Sequence, residues 1–137
     1  MSIAIAGAGV GGLASGILLA RAGHRVTVFD QFEAAGPVGS GLMLQETGLT
    51  ILGALGLRTG AEALGSPIAR LWGVSSETGR AVLDVRYGAL RKSLVGIGIQ
   101  RAALFDLLFD AAKAAGVRVV LGTRIVSADT AAGLFRD

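Results

Sequence analysis

The stretch from residue 3 to residue 30 constrains this fold most, because it predicts a strand, a glycine turn, a helix and a strand ending in an acid. Residues 3–6 form a short apolar run that suits a parallel strand buried on both faces. The turn after it carries three glycines in the spacing GxGxxG: Gly7, Gly9 and Gly12. Residues 26–29 are strand-forming, and Asp30 follows them. This order is typical of a dinucleotide-binding βαβ unit.

Each motif position has a physical reason. Gly7 lets the backbone turn sharply, and Gly9 leaves room for a pyrophosphate beside the main chain. Gly12 lets the helix lie close to the strand, and the free N–H groups and positive dipole end of that helix favour phosphate. Asp30 falls where a carboxylate can accept hydrogen bonds from both ribose hydroxyls, which disfavours a 2′-phosphorylated nucleotide. The apolar helix residues predicted to pack on the sheet are Leu13, Ile17, Leu18 and Ala20.

Residues 2–20 carry no charge, which could also indicate a membrane span or a signal sequence. The glycines, the strand pattern that follows and the lack of a basic opening segment argue against both. We therefore expect a cytoplasmic protein without a membrane partner.

Composition narrows the function classes. A length of 137 residues with 52% hydrophobic and 17% charged residues predicts one globular domain. The net charge of +3 comes from scattered basic residues, which favours a solvated surface over nucleic-acid binding. The lack of cysteine excludes disulfides and thiolate sites, and a single histidine predicts no metal site. That histidine, His24, is expected to be exposed in the turn between helix and strand.

The rest of the chain departs from a plain Rossmann repeat. Residues 31–41 read as a loop able to approach a ligand. The predicted elements after it are helices at 46–55 and 58–64, an antiparallel hairpin of 68–75 with 80–87, a helix at 101–115, a third parallel strand at 117–121, and strands at 125–128 and 134–135. Gly56 and Gly116 are expected to end the first and last of these helices.

Three stretches, residues 7–30, 39–57 and 99–117, resemble the flavin-dependent aromatic hydroxylases and their FAD-dependent monooxygenase relatives. The resemblance covers essentially the whole chain and implies an α/β fold of the Rossmann-like FAD-binding type, with an inserted antiparallel hairpin. It implies FAD as cofactor and NADH or NADPH as reductant. The cofactor-binding residues that it implies are Gly7, Ala8, Gly9, Gly11, Gly12, Asp30, Gln31, Gly41, Leu42, Arg101 and Ile125.

Within that set, the resemblance implies separate roles. Gly7, Gly9, Gly12 and Asp30 would hold the ADP half, and the main chain at Ile125 would meet the adenine. Gly41 and Leu42 would lie near the flavin, and Arg101 would contact the phosphate or ribitol region. No catalytic residue is identified.

Three departures from the family pattern stand out. No basic residue lies between Arg25 and Arg58, where many members place a cofactor-binding arginine. Asp30 replaces a glutamate that is common at that position. The Gly-Asp sequence and the substrate-covering sheet of the family are missing, so the chain looks like the N-terminal portion of a larger enzyme, whose fold a second chain or segment would complete.

Several residues keep alternative readings. Arg101 could instead pair with Asp106 or Asp110, and Gln45 is as consistent with an exposed helix start as with a ligand contact. Trp72 and Tyr87 are expected to pack on the hairpin sheet. The acids given no catalytic role are Glu33, Asp84 and Asp129.

Three functions remain open at this point. The first is the FAD-binding portion of a monooxygenase that uses O2 to hydroxylate an aromatic or related small molecule. The second is a noncatalytic nucleotide-binding fragment or subunit that needs a partner chain. The third is an NAD-dependent dehydrogenase, which the hairpin argues against.

Overall fold

The computed structural model describes residues 1–34, 36, 39–91, 94–129 and 133–136. Its helices and strands follow one another as β1 Ser2–Ala6, α1 Val10–Arg21, β2 Arg25–Phe29, β3 Gly41–Leu44, α2 Glu46–Ala54, α3 Arg58–Leu64, β4 Ser66–Ile68, β5 Arg70–Val74, β6 Ala81–Arg86, α4 Tyr87–Leu90, β7 Gly96–Gln100, α5 Arg101–Ala114, β8 Arg118–Val120, β9 Ser127–Asp129 and β10 Leu134–Arg136. The chain divides into two compact units. The first unit comprises Met1–Gly39 and Ala102–Asp137, and the second unit comprises Ser40–Arg101. None of the helices in the described part of the chain has the length and hydropathy that a membrane crossing requires.

The first unit is built on a three-stranded parallel sheet in the order β1-β2-β8. The central strand β2 buries Val28 completely, and α1 contributes Leu13 and Ile17, which are also fully buried. A Cβ at Gly16 would lie 3.4 Å from Val28, so the absence of a side chain there lets α1 approach the sheet closely. The predicted βαβ unit and the third parallel strand are therefore confirmed.

Three expectations for this unit are wrong. Strand β1 is not buried on both faces: Ile3 and Ile5 are half-buried, whereas the alternate residues are exposed, because one face of this edge strand stays open. Leu18 is 42% exposed, since it lies off the α1 stripe that carries Leu13 and Ile17. His24 is half-buried rather than exposed.

The two strands predicted near the end of the chain form an antiparallel pair with shifted bounds. Phe135 in β10 lies opposite Ala128 in β9, and Ile125 precedes the pair. The ring of Phe135 packs edge-on against Phe29 of β2, with 6.2 Å between ring centroids. The turn between the two strands includes residues 130–132, which lie outside the described residues.

The second unit contains an antiparallel sheet in the order β3-β7-β4. The predicted helices are present as α2 and α3, and Gly56 adopts a left-handed φ of 72° just after α2. Strands β3, β4 and β7 were not predicted. Gly41 lies in β3 rather than in a loop, and the remainder of that predicted loop includes residues 35, 37 and 38, which the structure does not describe.

Two glycines explain why the sequence does not predict β7. Glycine weakens a strand unless a neighbour needs the space. Here a Cβ at Gly96 would lie 3.2 Å from the Met43 sulfur, and one at Gly98 would lie 3.1 Å from Ile68. The glycines thus accommodate side chains on β3 and β4, while Ile97 and Ile99 supply the buried face of β7.

The predicted hairpin is confirmed as β5 paired with β6, with Gly79 at a φ of 66° in its turn. Residue 68 belongs to β4 instead and pairs with β7. Trp72 is 58% exposed, so its expected packing on the sheet is wrong; the Arg70 guanidinium lies 5.9 Å from its ring centroid. Tyr87 begins the short helix α4, and its hydroxyl donates to the Met43 sulfur at 3.4 Å.

Candidate nucleotide-binding site

The glycine turn of the first unit has the shape that a close approach by a ligand requires. Gly7 has a φ of 100°, and its N–H donates to the carbonyl oxygen of Phe29 at 2.7 Å. A Cβ at Gly12 would overlap the carbonyl oxygen of Gly7, so only glycine lets α1 start this close to the turn. No atom lies within 4 Å of a Cβ built at Gly9 or Gly11. The turn is therefore tight on its inner side and open on its outer side.

The start of α1 offers backbone donors. Gly9 is the N-cap residue, and no side chain caps the helix there. Its carbonyl accepts the N–H of Leu13 at 2.9 Å, and no acidic residue occupies the first helical turn. The first N–H groups of a helix have no partner within the helix and carry its positive dipole end. This end of α1 therefore suits an anionic group.

The Asp30 carboxylate lies beside this turn and is half-buried. One of its oxygens accepts the backbone N–H of Ala8 at 2.6 Å, and the other accepts the N–H of Phe32 at 3.0 Å. A carboxylate has about four acceptor positions, so each oxygen retains one for a further donor. Asp30 thus braces the glycine turn, a role that the sequence did not reveal.

A cleft of about 360 Å³ opens at the carboxyl ends of the parallel strands. Two main-chain hydrogen bonds join its sides: Thr123 donates to Asp30 at 2.8 Å, and Gly122 donates to Phe32 at 2.9 Å. The residues lining the cleft are Ala6, Gly7, Phe29, Asp30, Gln31, Phe32, Thr123, Arg124 and Ile125. The structure therefore brings together the predicted site residues Gly7, Asp30, Gln31 and Ile125.

Five lining residues were not among the predicted site residues, and three of them lie beyond the strand ends: Phe32, Thr123 and Arg124. They lie outside the glycine motif, and their spacing matches no recurring sequence motif. Only their position directly after the two strands could have suggested them, because ligands bind beyond the carboxyl ends of parallel strands.

The second unit places its own predicted site residues side by side. Gly41 lies opposite Gln100 in the pairing of β3 with β7, and the N–H of Arg101 donates to the carbonyl of Ser40 at 3.3 Å. Leu42 follows in β3 and lines a cleft of about 440 Å³ with residues of β4 and β7. Asp110, an alternative partner for Arg101, instead pairs with Lys113 at 2.8 Å.

The shifted pKa values belong to ion pairs of the second unit. A hydrogen bond from Arg70 lowers the pKa of Asp84, and Arg86 adds to the effect. A hydrogen bond from Arg58 likewise lowers the pKa of Glu46. Asp84 therefore has two partners that the sequence did not show, with N–O distances of 2.6 Å to Arg70 and 3.4 Å to Arg86.

Gln45 is the exposed N-cap residue of α2. Within the described ranges, no three potential metal ligands among histidine, cysteine, aspartate and glutamate cluster together. The glycine turn, helix start and strand-end acid thus define the first unit as an α/β dinucleotide-binding unit.

The chain belongs to the family described as FAD binding domain, which matches residues 1–132. Asperlicin C monooxygenase of Petromyces alliaceus is 28% identical over 127 residues, which are 91% of this chain and 28% of that protein. 3-Hydroxybenzoate 6-hydroxylase 1 of Aquipseudomonas alcaligenes is 30% identical over 119 residues, which are 85% of this chain and 30% of that protein.

A solved structure, the tetrameric form of 2-methyl-3-hydroxypyridine-5-carboxylic acid oxygenase, shares the fold with a TM-score of 0.82. It is 22% identical, and the match covers 99% of this chain and 37% of that one. The chain therefore spans about a third of the length of these relatives. Family membership confirms the FAD-binding interpretation over the NAD-dependent dehydrogenase.

Proposed function

We propose that this chain binds the ADP half of FAD and forms the cofactor-binding part of a monooxygenase. The whole enzyme would use NADH or NADPH and O2 to hydroxylate an aromatic or related small molecule. The observation that carries the proposal is the glycine turn, where Gly12 closes the inner side and Gly9 leaves the outer side open.

The residues of the first unit suit the parts of an adenine dinucleotide. The N–H groups at the start of α1 would hold the pyrophosphate, since no side chain caps them. Asp30 would accept the ribose hydroxyls with the acceptor positions left after Ala8 and Phe32 are bound. The main chain near Ile125 would meet the adenine, because it lines the same cleft.

The second unit adds candidate contacts from a separate sheet. Gly41 and Leu42 begin β3, and Arg101 follows the end of β7 as the first residue of α5. We propose that Arg101 supplies a positive charge to the cofactor, since it is exposed. FAD, when bound, supplies the redox chemistry, and the protein supplies binding, orientation and the exclusion of water.

The monooxygenase part of the proposal rests on the relatives. Their names describe a monooxygenase, a hydroxylase and an oxygenase, two of them acting on ring compounds named as a hydroxybenzoate and a hydroxypyridine carboxylic acid. We extend this class of substrate to the whole protein.

The decisive binding experiment uses Gly9→Ala, because this change separates binding from folding. Gly9 has a φ of −71° and a ψ of −179°, which alanine adopts freely, and its Cβ would meet nothing within 4 Å. We expect FAD affinity, followed by flavin fluorescence, to fall by about tenfold or more as the added methyl displaces the phosphates.

The matched control is Gly53→Ala in α2, which also adds a methyl into open space. It should bind FAD as the wild type does, and both variants should keep the wild-type melting temperature within a few degrees. Undiminished FAD binding by Gly9→Ala would contradict a pyrophosphate at the turn. Tighter binding of NADH than of FAD by the wild type would favour a dehydrogenase instead.

The activity of the whole protein has its own test. We expect NADH or NADPH oxidation and oxygen uptake to rise when a substituted aromatic acid is added, with a hydroxylated product in equal amount. Oxidation without any hydroxylated product across a panel of aromatic acids would contradict the hydroxylase assignment.

A further inference from the structure

We propose that Phe32 and Arg124 hold the adenine base between an aromatic ring and a guanidinium group. The inference rests on the proposed function, because it requires an adenine nucleotide in the cleft of the first unit. Both residues line that cleft, together with Asp30 and Ile125.

The two residues follow neighbouring strands and are held at fixed backbone positions. Phe32 comes two residues after Asp30 beyond β2, and Arg124 comes four residues after the end of β8. The bonds from Gly122 to Phe32 and from Thr123 to Asp30 join the two segments directly. Phe32 and Arg124 therefore extend from backbone segments that cannot separate without breaking these bonds.

Phe32 is the aromatic ring available to a ligand. It is 52% exposed, and its own N–H is bound to Asp30 at 3.0 Å. The other aromatic residue in the cleft, Phe29, already packs edge-on against Phe135. A large apolar ring that is held in place by its backbone and exposed to water loses unfavourable exposed surface when it covers a flat base, so stacking is favoured.

Arg124 is the one cationic residue among the described residues that line the cleft. It is exposed, and no hydrogen bond or ion pair joins its side chain to the described part of the chain. Asp30 shares the cleft, but both of its oxygens accept main-chain N–H groups instead. A planar guanidinium left without a partner stacks flat on a π system, whereas an ammonium group interacts with the same face only as a point charge.

Phe32 and Arg124 together make the adenine base, and not only the phosphates, a determinant of nucleotide affinity. Stacking of one base on a protein side chain accounts for about a five- to 150-fold change in affinity when the side chain is removed. We therefore expect this cleft to select adenine nucleotides over FMN, which has no adenine.

The test measures dissociation constants of the purified protein for FAD, ADP and FMN by titration calorimetry. Phe32→Ala and Arg124→Ala should each weaken the binding of FAD and ADP by about five- to 150-fold and leave the binding of FMN unchanged. Phe32→Tyr keeps a ring and should bind as the wild type does. Arg124→Lys keeps the charge without the planar group and should recover only part of the affinity that Arg124→Ala loses.

The matched control is Arg118→Ala, which removes an exposed arginine from β8 outside the cleft lining. It should bind all three ligands like the wild type. Every variant should melt at the wild-type temperature without ligand, since the side chains removed are largely exposed.

Three results would overturn the proposal. Full recovery of ADP affinity in Arg124→Lys would show a charge contact to phosphate rather than stacking. Wild-type ADP affinity in both alanine variants would show that Phe32 and Arg124 do not hold the adenine base, while the proposed FAD binding would stand. A wild type that binds neither FAD nor ADP would refute the proposed function itself, and with it the role of Phe32 and Arg124.

Discussion

Replacement of Gly12 by alanine should destabilise the first unit through one steric overlap. The new Cβ would overlap the carbonyl oxygen of Gly7 and would lie 3.1 Å from its carbonyl carbon. That carbonyl cannot turn aside easily, because Gly7 is held by its 2.7 Å hydrogen bond to Phe29. Helix α1 would have to retreat by an amount on the order of 1 Å.

The magnitude follows from what α1 buries. Leu13 and Ile17 are fully buried, and Gly16 lets α1 lie against Val28 and Val117. Overpacking of this kind costs about 1–3 kcal/mol, and the better helix propensity of alanine returns less than about 1 kcal/mol. We expect a net loss of about 2 kcal/mol in the free energy of unfolding, or roughly 6 °C in melting temperature.

The assay is urea unfolding followed by far-ultraviolet circular dichroism. The matched control is Gly11→Ala, one residue earlier in α1, where a Cβ would meet nothing within 4 Å. That variant should be as stable as the wild type or gain up to about 1 kcal/mol. Equal stability of the two variants would refute the steric argument, because the overlap with Gly7 is present in Gly12→Ala and absent in Gly11→Ala.

Three further predictions concern single residues. Asp30→Asn leaves one acceptor oxygen for the N–H groups of Ala8 and Phe32, so the free energy of unfolding should fall by about 1–2 kcal/mol in chemical denaturation; an unchanged value would show that the carboxylate does not brace the turn. Leu104→Ala should lose about 2–5 kcal/mol by the same measurement because Leu104 is fully buried, whereas Ile51→Ala, at 48% exposure, should lose less than about 1 kcal/mol; similar losses would contradict the assigned core. Because Arg70 lowers the pKa of Asp84 in the folded hairpin, the stabilisation from this pair is present above the ordinary aspartate pKa and is lost as pH falls through the lowered one. The fluorescence of Trp72, the single tryptophan, should report that loss between about pH 5 and pH 2 and should show no such step in Asp84→Asn; identical titrations would argue against the pair.

Local patterns predicted the elements whose side chains repeat at a regular period. Helices α1 and α5 and the pair of β5 with β6 show such periods in their apolar residues, and glycines end the two helices. Strand β7 could not be found this way, since Gly96 and Gly98 are there to admit Met43 and Ile68 from distant segments.

The residues of the candidate site likewise divide into those that the sequence predicts and those that it does not. The glycine motif and Asp30 carry a known spacing, so the sequence predicts their position. The contacts from Asp30 to Ala8 and Phe32, and the presence of Arg124 in the cleft, depend on how β8 returns beside β2. A single sequence carries no local signal for such a pairing.

The first unit is assembled from two separated pieces of chain, with the whole second unit encoded between them. Asp30 and Thr123, whose backbones are hydrogen-bonded at the cleft, lie about 90 positions apart. During synthesis the glycine turn emerges early, but its cleft stays incomplete until the segment around residue 125 has left the ribosome. If the cleft holds the cofactor as proposed, cofactor uptake comes late in folding, and premature termination anywhere within the second unit would yield a chain with an intact motif but an incomplete cleft.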